Sequence, residues 1–506
     1  SPQLLQDLRA LVRVLEDDLR ERAGEEPQAK ELRDAWDALT SGERTSEPFE
    51  SWLEGYLTQV AVAWVLACVF VRFLEDQDLI DERYIAGRTG EEAKRADDAY
   101  RLWIEAHPLG TDREYLLDVF RRVGELPGAK DLFAEGKTLV WNLGPGDAAR
   151  RLRYFFGERD ATTGDLVREF SSPDGDTRFL GDLYQDLSDE AKKRFALLQT
   201  PRFVEEFILD HTLEPAIEDF GLEGLRLIDP TCGSGHFLLG AFERLMDRWL
   251  HAAPGEKPRV LAQRALDSIH GVDVNPFAVS IARFRLLIAA LRAAGEAKLR
   301  DAPDFKVRVA AGDTLLWGIV NKPGGDEKYL WTEMDLPGAK HQEALLRAME
   351  DRPALNEILL KRQPFHVVVG NPPYITVKDK AQNAAYRERY SSAYQKYSLG
   401  VPFTERFFGL AVPGKDGVRP GYVGMITANS FMKREFGKKL IAAFLPKVEL
   451  SHLIDTSGAY IPGHGTPTVI LLGRNRKPTT QQVRAVLGIR GEPSTPEDPA
   501  QGLVWR

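Results

Sequence analysis

Leu225-Arg226-Leu227-Ile228-Asp229-Pro230-Thr231-Cys232-Gly233-Ser234-Gly235-His236-Phe237 reads as a short apolar strand that stops on an acidic residue, a glycine-rich turn, and the opening of a helix continuing to about residue 249. Glycines let the backbone approach a ligand closely, and open α/β sheets bind ligands in the crevice beyond the carboxyl ends of their strands. A purely structural turn would use the same glycines. The Asp229-Pro230 step before them and Phe237 after them favour a nucleotide-like ligand instead.

Outward from this turn, short apolar runs ending in acidic or glycine-rich turns alternate with helical stretches, which is the pattern of a mostly parallel sheet. Strands are expected at 225–228, 268–272, 306–309, 365–369, 422–426 and 468–472. After the second comes Gly271-Val272-Asp273-Val274-Asn275-Pro276, where a carboxylate would accept hydrogen bonds from a ribose diol. Taken alone, Asp273 would equally serve a turn or a helix cap. After the third comes Gly312-Asp313-Thr314-Leu315-Leu316, whose carboxylate suits the amino group of an adenine ring, with an N-cap as the plainer role. The segment 314–363, with its Pro323-Gly324-Gly325-Asp326 turn, is expected to be an insertion.

The fourth strand candidate runs into the chemistry: Phe365-His366-Val367-Val368-Val369-Gly370-Asn371-Pro372-Pro373-Tyr374. Two prolines fix the backbone and remove two N–H donors, so the turn presents acceptors, the Asn371 side-chain oxygen and the Pro372 carbonyl. A planar exocyclic amine held by both has its lone pair localised and aimed at a methyl sulfonium. Tyr374 offers the stacking face that a base lifted out of a duplex needs. The apolar strand in front argues against a plain Asn-Pro-Pro turn.

Upstream, Leu4, Leu5, Leu8, Leu11, Val12, Leu15 and Leu19 recur at helical spacing, and that periodicity continues to about residue 125. The apolar run 60–71 is shorter than the roughly 18 to 20 residues of a membrane-spanning helix and is followed by Arg72, so it is expected to be a buried helix. Breaks at Asn142-Leu143-Gly144-Pro145-Gly146-Asp147 and Ser171-Ser172-Pro173-Asp174-Gly175-Asp176 punctuate the chain after this helical part. The expected organisation is a helical N-terminal domain over 1–140, a linker with connecting helices over 141–195, the sheet domain over 196–475, and the start of a C-terminal extension over 476–506. The region that would recognise a target is expected to lie beyond it.

With 506 residues, 43% hydrophobic and 28% charged, the chain is a multi-domain globular protein rather than a disordered, collagenous or membrane one. Ser1-Pro2-Gln3-Leu4 has no basic stretch leading into an apolar one, so a cytoplasmic location is expected. Cys68 and Cys232 make neither a disulfide framework nor a metal-ligand cluster, and no metal is expected. A net charge of -9 opposes a surface that holds DNA everywhere but allows a local basic channel. Lys433-Arg434 with Lys438-Lys439, and Arg387 with Arg389, could line one, although solvated faces are the plainer reading of each cluster.

Glycine turn, first acidic residue, second acidic residue and Asn-Pro-Pro-Tyr, in this order, resemble the gamma group of amino-methyltransferases. Leu198-Gln199-Thr200-Pro201-Arg202-Phe203-Val204 resembles the Thr-Pro segment with which that group also reaches its cofactor. The resemblance implies an α/β protein with the class I fold of methyltransferases dependent on S-adenosylmethionine, a Rossmann-like, mostly parallel sheet, here preceded by an all-helical domain. It implies cofactor contacts from Thr200, Asp229, Thr231, Gly233, Gly235, Phe237, Asp273, Asn275, Asp313 and Asn371. Within that set, Asp229 would lie near the methionine amino group, Asp273 on the ribose and Asp313 on the cofactor adenine. Asn371, Pro372, Pro373 and Tyr374 would surround a target adenine flipped out of double-stranded DNA. More narrowly, the helical leader, Phe179-Leu180-Gly181-Asp182-Leu183-Tyr184-Gln185 and the loop from Tyr374 to Gln395-Lys396-Tyr397 are similar to the PglX family of adenine methyltransferases. That family belongs to the BREX, or phage growth limitation, anti-phage systems, and the likeness is to the type 2 branch. Other proteins of such a system are the implied partners, with no membrane.

The gamma group often places a phenylalanine before a proline near the seventh strand to pack the flipped base. Here the region reads Tyr460-Ile461-Pro462-Gly463-His464-Gly465, with Ile461 in that place and Tyr460 or His464 as substitutes. Protein or RNA amino-methylation is the alternative chemistry, since Asn-Pro-Pro-Tyr also serves glutamine amides. A recognition subunit that binds the cofactor and is inactive alone is the non-enzymatic alternative. Glu92-Ala93-Lys94 superficially resembles the end of a nuclease site but sits in a helical, alanine-rich stretch with no acidic strand before it.

Overall fold

The computed structural model describes residues 2–506 apart from 43, 172–176, 178, 182–186, 188–199, 322–326, 330–349, 416, 464 and 489. The break at 171–176, the likeness at 179–185, the segment 198–199 and most of the expected insertion therefore fall outside the described residues, wholly or in part.

The leader forms α1 (Pro2–Ala23), α2 (Gln28–Ser41), α3 (Phe49–Asp76), α4 (Gly90–Ala106), α5 (Asp112–Gly124) and α6 (Ala148–Gly157). Leu8, Leu11, Val12, Leu15 and Leu19 are buried, as their spacing on one face of α1 requires. The apolar run at 60–71 lies inside α3, which continues through Arg72 to Asp76. By length and composition α3 could cross a membrane, but its apolar window is entirely buried inside the protein. Arg72 does not end it, because the guanidinium is neutralised in place: its Nη2 donates to both Asp76 carboxylate oxygens at 3.0 Å. Glu75 in turn accepts the backbone N–H groups of Tyr84, Ile85 and Ala86 at 2.6, 2.9 and 3.0 Å. Buried charges persist when paired and hydrogen-bonded in this way. Glu92 closes a capping box with Thr89 at the start of α4 and pairs with Arg83 at 2.9 Å, which gives the carboxylate of Glu92-Ala93-Lys94 a structural role.

After α7 (Arg202–Asp210) and α8 (Leu213–Phe220), the chain builds an eight-stranded sheet from β1 (Leu227–Asp229), β2 (Ile269–Asp273), β3 (Arg308–Ala311), β4 (Val367–Gly370), β5 (Tyr422–Ala428), β6 (Glu449–Asp455), β7 (Thr468–Arg474) and β8 (Arg484–Leu487). The spatial order is β3-β2-β1-β4-β5-β7-β6-β8, and only β7 runs antiparallel to its neighbours. All six expected strands are present, with their ends displaced by at most two residues. β6 and β8 were not expected. Glu449 to Asp455 mixes polar with apolar residues because it is mostly half-buried, and β8 is exposed along its whole length, so neither carries the apolar run that marks a central strand. β8 also carries the sheet past residue 475, where the domain was expected to end.

Side chains alternate between two cores on opposite faces of the sheet, as the two-residue strand period demands. Leu227, Val367, Val369 and Ile470 enter one core, while Ile228, Val368, Val423 and Leu471 enter the other. The first core is continuous with the helical leader. Phe70 of α3 stacks on Phe284 of α11 (Pro276–Ala294), the helix after β2, with centroids 4.4 Å apart and planes 8° from parallel. The leader is thus packed onto the sheet domain rather than tethered beside it.

Candidate active site

β1 lies between β2 and β4, so successive strands are added on one side up to β3 and on the other from β4 onward. Such a switch point opens a crevice above the strand ends, since the connections there leave in opposite directions. Both singled-out turns stand at this place, one after β1 and one after β4. Gly370 makes the close approach possible, because a Cβ at that position would stand 2.6 Å from Asp229 Oδ1 and 2.9 Å from Thr231 Oγ1.

The crevice is a cleft of about 1670 Å³. Of the expected residues, Thr200, Asp229, Thr231, Gly233, Phe237, Asp273, Asp313, Asn371, Pro372, Pro373 and Tyr374 border it. Gly235 and Asn275 stand behind the lining. Gly235 takes φ +87°, a left-handed turn that favours glycine, at the start of α9 (His236–Ala252), which α10 (Pro258–Ser268) follows. Asn275 is fully buried and caps α11, its side chain accepting the Phe277 N–H at 3.2 Å.

The floor is acidic. Asp229 accepts the Thr231 N–H at 2.9 Å and its hydroxyl at 3.3 Å, and burial pushes its carboxyl up to about 8. Asp273 accepts the Gly233 and Asn275 N–H groups, both at 2.9 Å, and burial lifts it to about 6 against those bonds. Asp313 accepts Leu315 N–H at 2.9 Å and the Tyr386 hydroxyl at 2.5 Å, with burial again raising its pKa. Each carboxylate retains lone-pair sites beyond these bonds. Carboxylates that are shielded from water and rest on neutral donors favour a ligand rich in N–H and O–H groups and carrying positive charge. This set of acceptors therefore fits S-adenosylmethionine, which has an amino group, a ribose diol, an adenine amine and a sulfonium. At the mouth the sign reverses: exposed Lys378, Lys380, Arg387, Lys396 and Arg434 ring the opening.

Between floor and rim, Asn371 is held at both ends of its amide. Its Nδ2 donates to Thr200 Oγ1 at 3.1 Å, and its Oδ1 accepts the Tyr374 hydroxyl at 2.7 Å. The side-chain oxygen is thereby turned into the cleft with one lone pair left to offer. Ile461 is buried in the first core and Tyr460 is 40% exposed, and neither borders the cleft; His464 lies outside the described residues.

Sequence reasoning missed two contributors. Tyr386, on α12 (Lys380–Arg389), ties Asp313 to the loop after Asn-Pro-Pro-Tyr. The leader also supplies a wall, with Thr45, Trp52 and Gln59 bordering the cleft. No local pattern marks these residues, since only the packing of α3 against α11 brings them there.

Residues 267–461 match the family of Eco57I restriction-modification methylases. The chain is 47% identical to the adenine-specific methyltransferase PglX of Streptomyces coelicolor over 99% of its own length and 42% of that protein's. It therefore spans less than half of that relative. Among solved structures, the restriction-modification enzyme MmeI in complex with DNA superposes with a TM-score of 0.54 at 16% identity, over 96% of this chain and 59% of that one. The DrdV–DNA complex gives a TM-score of 0.54 at 14% identity, over 94% and 41% respectively. At such identities these two likenesses speak for the fold. The match to the Streptomyces protein runs through leader, sheet and both turns alike, and the chain belongs to the family of the adenine-specific methyltransferase PglX.

Proposed function

We propose that this chain transfers a methyl group from S-adenosylmethionine to N6 of an adenine in DNA, as a site-specific methyltransferase of a BREX-type defence system, and that its sheet is the class I methyltransferase fold. The observation that carries the reading is Asn371, oriented from both ends of its amide, beside a floor of three carboxylates, Asp229 buried and Asp273 and Asp313 half-buried. The order β3-β2-β1-β4-β5-β7-β6 with β7 reversed supports the fold assignment. The basic rim and the DNA bound by the MmeI and DrdV proteins support DNA as substrate.

When bound, S-adenosylmethionine supplies an electrophilic methyl group on a cationic sulfur. Asp229 would take its amino group, Asp273 its ribose hydroxyls and Asp313 its adenine amine. Asn371 Oδ1 and the Pro372 carbonyl accept the two N–H bonds of the target amine, which localises the nitrogen lone pair and points it along the transfer line. Tyr374 packs beside the extruded base, where an aromatic face offsets the lost stacking. Neither acceptor is basic enough to keep a proton, so the methylated amine releases its surplus proton to water. The exposed cations at the rim suit phosphates on either side of the extruded nucleotide.

Calorimetry with S-adenosylmethionine, followed by long-read sequencing of DNA from cells with and without the full-length protein, tests both halves. Absence of cofactor binding would overturn the reading of the glycine turn. Absence of a methylated adenine motif would overturn the substrate.

A further inference from the structure

The leader's wall of the cleft is built to stay in place. Thr45 Oγ1 and Ser46 N–H donate to Asp379 Oδ2, both at 2.8 Å, and Lys380 N–H donates back to Ser46 Oγ at 3.0 Å. These bonds lock the loop before α3 onto the start of α12. Farther along α3, the stacking of Phe70 on Phe284 fixes the helix to the sheet domain.

On this wall stands a side chain with unmet chemistry. Gln59 is 3% exposed, and its Oε1 is buried with no hydrogen-bond partner among the described residues. Native proteins rarely keep a buried amide oxygen unpaired, so each case asks for an explanation. Gln59 borders the cleft, and it also borders a small cavity of about 20 Å³ against Pro276 and Phe277. Those two residues open α11, directly after Asp273 and Asn275. Gln59 therefore stands at the β2 end of the cleft, where a carboxylate is placed for a ribose.

A primary amide offers an acceptor beside a donor, the pattern that complements an adenine edge. Asp313, which would take one N–H of that amine, offers acceptors only, so it leaves the second N–H and the ring nitrogen beside it to another group. We propose that Gln59 reads the adenine edge of the cofactor, its Oε1 accepting from the exocyclic amine and its Nε2 donating to a ring nitrogen. The helical leader is then part of the cofactor site. This inference rests on the S-adenosylmethionine reading.

The test is calorimetry on the intact protein and on Gln59→Leu and Gln59→Glu, with S-adenosylhomocysteine and with its inosine counterpart, in which a 6-oxo group replaces the amine. The wild type is expected to prefer the adenosyl compound by about tenfold or more, the range a matched amide contact provides. Gln59→Leu should lose about tenfold on the adenosyl compound and most of that preference. Gln59→Glu keeps the shape and an acceptor but loses the Nε2 donor, so it should fall between the two, and it serves if the leucine variant folds poorly. If the wild type binds neither compound, the cofactor reading itself fails. If it binds the adenosyl compound and both variants match it in affinity and preference, the cofactor reading stands and Gln59 merely holds a water in the small cavity, which overturns the proposal.

Discussion

Replacing Thr200 by valine separates two roles for one residue. The substitution keeps the shape but removes the atom that, among the described residues, accepts from Asn371 Nδ2, a 3.1 Å bond to a side chain that is 5% exposed. A donor left unpaired in such a place costs about 1–3 kcal/mol. The Asn371 amide escapes that cost by turning over, because the Tyr374 hydroxyl can accept from Nδ2 as readily as it donates to Oδ1. In the turned-over form the cleft no longer sees a correctly placed oxygen. Penalising the competent orientation by about 1–3 kcal/mol lowers kcat by roughly 5- to 150-fold. The affinity for S-adenosylmethionine should stay within about threefold of wild type, since the damage falls on the target side. Steady-state methyl transfer, run beside calorimetry, reads both numbers, and Thr200→Ser should restore activity by returning the oxygen. If Thr200→Val instead weakens cofactor binding and leaves kcat intact, Thr200 touches the cofactor directly, as the Thr-Pro resemblance implies, and the orienting role is wrong.

Two further outcomes concern the acidic floor. Asp273→Ala removes the acceptor of the Gly233 and Asn275 N–H groups as well as the ribose ligand, so calorimetry should show cofactor affinity reduced by about tenfold or more, with DNA affinity unchanged in a gel-shift assay. The Asp229 carboxyl, pushed up to about 8 by burial, holds its proton at neutral pH in the ligand-free protein. Its folded pKa is raised above the unfolded value, so it disfavours the ligand-free fold increasingly as pH climbs from the ordinary carboxylate range to about 8. A cationic amino group at Asp229 favours the ionised form. Cofactor binding should therefore expel a proton and tighten as pH rises toward about 8, which calorimetry in buffers of different ionisation enthalpy detects; proton uptake would contradict it.

The sheet was legible where strands are buried on both faces, since β1, β2 and β4 read as short apolar runs ending in turns that border the cleft. β6 and β8 were not, because a half-buried or exposed edge strand needs no apolar run. The glycine turn, Asp273, Asp313 and Asn371 could be named from local pattern and order along the chain. Their interactions could not: the Thr200 bond to Asn371 spans 171 positions and the Tyr386 bond to Asp313 spans 73. Asn275 shows the converse limit, as a residue close to Asp273 whose side chain caps a helix behind the cleft lining. Gln59 directly precedes the apolar run of α3 with no motif around it, and only the register of that helix against α11 turns it toward the cleft.

The most direct measurement is transfer of a labelled methyl group from S-adenosylmethionine to DNA by the full-length protein, with digestion to nucleosides, set beside the Asn371→Ala variant. The label is expected in N6-methyladenine, and Asn371→Ala should abolish it while keeping cofactor affinity close to wild type. Label on cytosine or on protein, or an Asn371→Ala variant that still methylates adenine, would contradict the assignment of Asn371 as the acceptor that holds the target amine.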